Sequence, residues 1–340
     1  MRKLASVRKI KEIKPIKNAD NLELAIIDGW QAVVKKGEYK LNDKIIYCEI
    51  DSFLPIKPEY EFLRKCCYKN IGNSEGFRIK SMKLRGELSQ GLVLPITSIK
   101  DGLDRPIGQD VSNELEIAKY EQPIPAQMQG IALGTFPSFI QKTDEERIQN
   151  LADRLDDWAL KPFHVTEKLD GTSCTIYEYD GRCGVCSRNM ELAYDENNLY
   201  WKAALKYDII NKLKDTGLTS IAIQGEIIGH GIQSNPYKFP INEIEFRVFN
   251  IFDIKDQHYV SKSEVCVICN YLGLLKVPTV YTITNVPNNL EEVLKMADGK
   301  SLIHNQVNRE GLVFVCDANE NRGRISFKVI SNQYLLNNEE

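Results

Sequence analysis

Residues 22–55, LELAIIDGWQAVVKKGEYKLNDKIIYCEIDSFLP, are short runs of β-branched, leucine and aromatic residues cut by turn signals at Asp28-Gly29, Lys36-Gly37 and Asn42-Asp43. Runs of this length between such turns read as strands. RIKSMKLRGELSQGLVLP, 78–95, continues the pattern. Short strands at this spacing predict a small β-barrel over the first 115 residues or so. The cluster EQPIPA, 121–126, has two prolines and little periodicity, and reads as a linker.

Beyond the linker the periods are mixed. Thr143 and Glu146 have capping-box spacing, and Ile148, Leu151, Leu155 and Trp158 recur as one helical face. Strands are expected at about 163–187, 220–228, 246–254, 311–316 and 324–330. Helices are expected at 196–214, at 262–275 behind a Ser261/Glu264 capping box, and near 289–297. Strands and helices without regular βαβ alternation make this an α+β domain. A chain of 340 residues has room for two domains, divided here as 1–120 and 121–340.

Charge separates the two parts. Residues 1–115 hold 21 lysines and arginines against 16 acidic residues, a balance of +5, whereas the remainder holds 23 against 31, a balance of −8. A basic module joined to an acidic one suggests that the first meets a polyanion. No apolar run approaches a membrane span, and the basic N-terminus lacks an apolar signal core. The expected location is intracellular, cytoplasmic or nuclear, with no membrane. Nine cysteines suit a reducing compartment better than a disulfide framework. The pairs Cys183/Cys186 and Cys266/Cys269 lie about eighty residues apart, too far for a zinc knuckle, and read as small hydrophobes.

The chemistry converges on Lys168. Asp180-Gly181 is a hairpin turn signal that pairs Tyr179 with Arg182. Counting back, Ser173 pairs with Arg188 and Thr172 with Asn189, which carries a guanidinium toward the turn that bears Lys168. A lysine beside an arginine makes sense if both meet a phosphate. In IAIQGEIIG, Ala222, Gln224 and Glu226 share a face. Glu310 opens the apolar strand REGLVFV, and Arg324, Ser326 and Lys328 share a face in RISFKVI. Each segment alone could be an ordinary solvated strand. Together they supply two carboxylates for a hard cation and a second lysine for phosphate. A lysine amine attacks phosphorus only when neutral, so its pKa must fall from about 10.4.

E-K-L-D-G, 167–171, resembles motif I, K-x-D-G, of the covalent nucleotidyltransferases, the polynucleotide ligases and RNA capping enzymes. In order, S-R-N (187–189) resembles motif Ia and Q-G-E (224–226) the metal-binding glutamate segment. E-F-R-V-F-N-I (245–251) resembles motif IIIa, R-E-G-L-V-F (309–314) motif IV, and S-F-K-V-I (326–330) motif V. Only a dozen residues follow Lys328, whereas DNA ligases and capping enzymes carry a C-terminal OB domain. The barrel that precedes the motifs is instead similar to the N-terminal OB module of ATP-dependent RNA ligases. Lys83-Leu84-Arg85-Gly86 echoes motif I without its aspartate and is a decoy.

The resemblance implies an N-terminal OB-type β-barrel, a nucleic-acid-binding module, followed by an adenylyltransferase domain of mixed antiparallel sheets and helices. It implies ATP and Mg2+ or Mn2+ as cofactors, and RNA with 5′-phosphate and 3′-OH ends as the partner of a monomer engaged in RNA repair. Lys168 would be the adenylylated nucleophile. Glu167 would contact adenine through its backbone, and Phe246 would stack on it. Arg188 would bind ribose or phosphate, and Lys328 the α-phosphate. Leu169, Asp170, Gly171, Ser173 and Glu310 complete the implied nucleotide contacts, and Glu226 and Glu310 would organise the metal. Motif V is often K-x-K, and Ser326 stands where its first lysine is expected. Rival readings are a DNA ligase, a capping-type nucleotidyltransferase, and a nucleic-acid-binding module whose lysine is unreactive.

Overall fold

The computed structural model describes residues 3–71, 74–121, 131–283, 285–316 and 324–337. The expected linker at 121–126 lies almost entirely outside them. The chain divides into two compact units, Met1–Pro123 with Asn332–Glu340, and Ile124–Ser331.

In the first unit, the turn signals become turns and the runs between them strands. Leu22–Ile27 and Trp30–Lys35 pair about Asp28-Gly29, with Glu12–Pro15 alongside. Lys44–Cys48 runs between Ala5–Lys9 and Leu92–Pro95. Ser81–Leu84 and Glu87–Gln90 form a hairpin, and Ala118–Lys119, Ser52–Pro55, Ser74–Arg78 and Tyr68–Ile71 form a four-stranded sheet. These ladders are separate sheets among the described residues rather than one closed barrel. Trp30, Tyr47, Ile27 and Ile45 fill one core, and Phe77, Leu54, Ile46 and Val7 another. Lys83-Leu84-Arg85-Gly86 is the turn of the short hairpin, with Arg85 and Gly86 at φ 54° and 90°. The C-terminal helix, Asn332–Asn337, also belongs to this unit. Gln90 Nε2 donates to Asn332 Oδ1 at 3.2 Å.

The second unit is built on two sheets. The larger runs in the order Ala132–Thr135, Met190–Leu192, Arg182–Cys186, Thr172–Tyr179, Ile221–Gly229, Ile244–Asp253, His258–Tyr259, with Leu275–Lys276 parallel to Ile244–Asp253. One face packs on the helices Leu199–Lys206, Ile209–Thr216 and Lys262–Leu272, through Ile223, Ile227, Phe246, Trp201, Leu213 and Cys269. The smaller sheet runs Thr279–Ile283, Phe163–Lys168, Gly311–Cys316, Ile325–Ile330. Its backing is aromatic, with Phe327 stacked between Phe314 and Trp158 at centroid distances of 4.8 and 5.4 Å. Among the described residues, no helix is long and apolar enough to cross a membrane.

Two helix expectations need correction. The apolar face at 148–158 is buried, but the segment is two 3-10 turns and one short helix, Leu155–Trp158. Thr143 caps nothing, because its hydroxyl bonds Ser173, and the backbone at Glu146 and Arg147 pairs with Lys328 instead of coiling. The helix at 196–214 is two helices, broken at Asp208, whose φ of 51° is left-handed. The helix at Lys262–Leu272 has both arms of its Ser261/Glu264 capping box.

Candidate active site

Along Phe163–Lys168, Phe163 and Val165 face the aromatic core, so alternation turns Thr166 and Lys168 to the opposite face. Lys168 ends the strand directly across from Gly311, which places Glu310 beside it. Lys168 Nζ donates to Glu310 Oε1 at 2.5 Å. In Ile325–Ile330, Phe327 and Val329 face the same aromatic core, so Lys328 lies on the lysine's side of the sheet, opposite Val313.

The larger sheet brings up the second carboxylate. Ser173 pairs with Glu226 across Thr172–Tyr179 and Ile221–Gly229. The chain reaches that strand from Lys168 through Gly171. A Cβ at Gly171 would collide with the Ile227 carbonyl oxygen and lie 2.9 Å from Glu226 Cγ, so the close approach needs glycine. The hairpin has the expected turn, with pairs from Tyr179↔Arg182 to Thr175↔Cys186. The extrapolated pairs Ser173–Arg188 and Thr172–Asn189 are not part of the ladder. Ser187 N–H turns back to the Met190 carbonyl, Asn189 accepts from Phe136 N–H, and Arg188 donates to Asp144 at 2.7 Å.

Charge in this space is tightly coupled. Burial pushes the Lys168 ammonium down, but Glu310, Glu226 and Asp170 outweigh it and hold the amine above the ordinary lysine value. Burial, with Glu310 and Asp170 nearby, raises Glu226 to about 8, and burial also raises Glu310. Burial lowers Lys328 to about 8, reinforced by Arg147 and Lys168. Arg188 contributes to the field at both Glu226 and Lys328. Three carboxylates therefore surround Lys168, with a cationic group of Lys328, Arg147 and Arg188 beside them. Glu310 Oε2 is buried without a hydrogen-bond partner among the described residues. An acceptor so placed, next to two other carboxylates, fits a hard divalent cation.

Beside the lysine an apolar patch is formed by Leu169, Ile228, Tyr237 and Val277, with Phe249, Phe239, Ile303 and Val307 at its edge. Glu167 is buried behind it. Its Oε2 accepts from Leu302 N–H at 2.7 Å, and burial raises its carboxyl. Phe246 departs from expectation. It is fully buried against Trp201, Ile223 and Val248 on the helix side of the sheet, where no ligand can stack on it. Phe246 pairs with Ile227, next to the Glu226↔Arg247 pair, so alternation turns it away from Glu226; a bulge follows between Gln224 and Gly225, whose partners are Asn250 and Val248. Phe249 is the extra residue, and it packs on the Leu169–Ile228 patch.

A family model for RNA ligase matches residues 161–330, and one for an OB-fold domain matches residues 4–96. The chain belongs to the RNA ligase family. Solved structures of Naegleria gruberi RNA ligase are similar to it throughout. The structure with PPi is 40% identical, with 98% of each chain covered and a TM-score of 0.83. A lysine-to-alanine mutant with ATP and Mn is 38% identical, with 99% of each chain covered and a TM-score of 0.84. A glutamate-to-alanine mutant with ATP and Mn is 39% identical, with all of each chain covered and a TM-score of 0.84. No curated protein matches.

In this RNA ligase, Lys168, Asp170, Glu226, Glu310 and Lys328 form one charged cluster, and Arg188 adjoins it. Ser326 hydroxyl donates to Glu145 at 2.5 Å, and Arg324 pairs with the same carboxylate at 3.1 Å. Three residues escaped the sequence reading. Phe249 lay within the quoted motif but at the wrong phase. Arg147 lies between the Thr143/Glu146 spacing and the apolar face at 148–158 and stands in no motif. Tyr237 lies in the loop 230–243, which carries no motif.

Proposed function

We propose that this RNA ligase uses ATP to join RNA 3′-OH and 5′-phosphate ends, with Lys168 as the covalent nucleophile. The observation that carries the reading is the pairing of Lys168 with Glu310 at 2.5 Å, within a cluster that also holds Asp170, Glu226 and Lys328. ATP and Mn in the Naegleria structures, and PPi in another, support the choice of nucleotide and leaving group.

The apolar patch takes the adenine, with Phe249 rather than Phe246 as its aromatic face and the Glu167 backbone at its edge. Lys328, Arg147 and Arg188 take phosphate oxygens, as developing charge on a phosphoryl group requires. Glu226 and Glu310, with Asp170 near them, hold the divalent cation, Mg2+ or Mn2+. When bound, the cation neutralises these carboxylates and screens the triphosphate. With its counter-charges engaged elsewhere, Lys168 keeps only the influences that lower its pKa, burial and the neighbouring cations. The neutral amine attacks the α-phosphorus, the bond to pyrophosphate breaks, and one proton leaves the nitrogen. Lysyl-AMP then passes AMP to an RNA 5′-phosphate, and a 3′-OH displaces AMP to form the phosphodiester.

The first unit, basic by +5 over residues 1–115, grips the RNA that the acidic remainder repels away from its cationic site. The enzyme works as an intracellular monomer in RNA repair. Incubation with α-labelled ATP and Mg2+ or Mn2+ tests the central reading. A labelled protein band that chases onto 5′-phosphorylated RNA is expected. Labelling by GTP instead would favour a capping-type enzyme, and RNA binding without labelling a non-catalytic module.

A further inference from the structure

The turn that follows Lys168 has no strand partner of its own. The Phe163–Lys168 strand stops at the nucleophile, and the next begins at Thr172. The loop beyond the Glu226 strand supplies the missing partners. Asp170 N–H donates to Tyr237 Oη at 2.8 Å, and Gln233 Nε2 donates to the Gly171 carbonyl at 2.9 Å. The two bonds hold the backbone on both sides of Asp170. The Tyr237 ring is buried with Leu169, Ile228 and Val277, so the hydroxyl that receives Asp170 N–H is fixed by packing.

The loop turns sharply. Gln233, Asn235 and Lys238 have φ of 49°, 50° and 55°, left-handed positions of which asparagine is the most tolerant non-glycine residue. The Asn235 side chain bonds both Phe239 N–H and the Phe239 carbonyl at 3.0 Å. This clasp closes the loop around Tyr237.

We propose that Tyr237, assisted by Gln233, is a positioning residue for the nucleophile. It fixes the turn after Lys168 and so sets the line along which the amine approaches the α-phosphate. The proposal rests on Lys168 being the adenylylated lysine. It gives Tyr237 its largest effect in the first step. Lysine attack needs the turn in place, whereas sealing of RNA that already carries a 5′-adenylate does not use the lysine as nucleophile.

Tyr237→Phe keeps the ring and removes the acceptor. With α-labelled ATP, the rate of lysyl-AMP formation is expected to fall about tenfold, because small misplacements of a reacting group are costly. The phenylalanine ring still lines the adenine patch, so the KM for ATP should stay within about twofold, and sealing of pre-adenylylated nicked RNA should fall much less than lysyl-AMP formation. Gln233→Ala, at an exposed position, should act in the same direction and more weakly. Equal losses in both steps would overturn the proposal in favour of general structural support, and so would unchanged adenylylation or an effect on KM alone. A wild-type protein that takes no label would instead overturn the underlying reading of Lys168.

Discussion

Glu310 Oε1 accepts from Lys168 Nζ at 2.5 Å, so the residue proposed to attack ATP and a residue proposed to hold metal are bonded to each other. The carboxylate thus has two opposing effects. It keeps the amine protonated, and it binds the cation that releases the amine. For Glu310→Ala and Glu226→Ala we expect the second effect to dominate, with adenylylation at limiting Mg2+ slowed by at least about tenfold and partial recovery at high Mg2+. Initial rates across a Mg2+ titration check this. A faster Glu310→Ala enzyme would mean that the ion pair is chiefly a brake.

Lys168→Met should abolish lysyl-AMP while ATP affinity stays within a few-fold, because the adenine patch and the phosphate cations come from other residues. Lys83→Met, in the hairpin turn of the first unit, should leave adenylylation intact. Intact-mass and peptide mass spectrometry decide the matter, and an adduct on another lysine would refute the assignment.

Phe246 and Phe249 should separate cleanly. Phe246→Ala empties a core site and is expected to cost about 3–5 kcal/mol of stability. Phe249→Ala should change Tm little and raise the KM for ATP by about tenfold, as loss of an aromatic stacking face would. Thermal melts and adenylylation kinetics on both variants test this. If Phe246→Ala melted normally and lost ATP binding, the two roles would be reversed.

Lys328 carries a pH signature. Its folded pKa, about 8, lies below the ordinary lysine value, so the native state holds this proton less tightly than the unfolded chain does. Below about pH 8 the buried charge destabilises the ligand-free protein, and that penalty fades as pH rises from about 8 toward 10.5. Lys328→Met should therefore raise Tm at neutral pH, by the few degrees of a roughly 1 kcal/mol change, and the gain should shrink toward pH 10. ATP binding by the wild type should weaken above about pH 8, while Lys328→Arg keeps its charge and its affinity. Calorimetry of both proteins across that range measures the contrast. A Tm gain that did not change with pH would point to packing rather than charge.

What the sequence disclosed was mostly local. The Asp180-Gly181 turn and the Ser261/Glu264 capping box are decided by residues within four positions of each other, and both formed. Lys168, Glu226 and Glu310 were legible because each stands in a motif. Thr143 was misread because its partner, Ser173, is thirty residues away and competes with the local cap. Phe246 and Phe249 lie three residues apart in one strand and so face opposite ways, and only the pairing of Phe246 with Ile227, away from Glu226, decides which of them meets the site. Tyr237 depends on a hydrogen bond to a backbone amide 67 residues away, and a backbone partner leaves no trace in sequence.

The helix Asn332–Asn337 gives the chain an unusual wiring. It belongs to the same compact unit as Met1–Pro123, so residues 124–331 are inserted between two segments of that unit. Trimming the chain after Ser331 removes no tail from the catalytic unit. It strips the first unit of Tyr334 and Leu335, both buried, and of the Asn332 acceptor for Gln90, so damage from a C-terminal deletion should first appear in the module at the other end of the sequence.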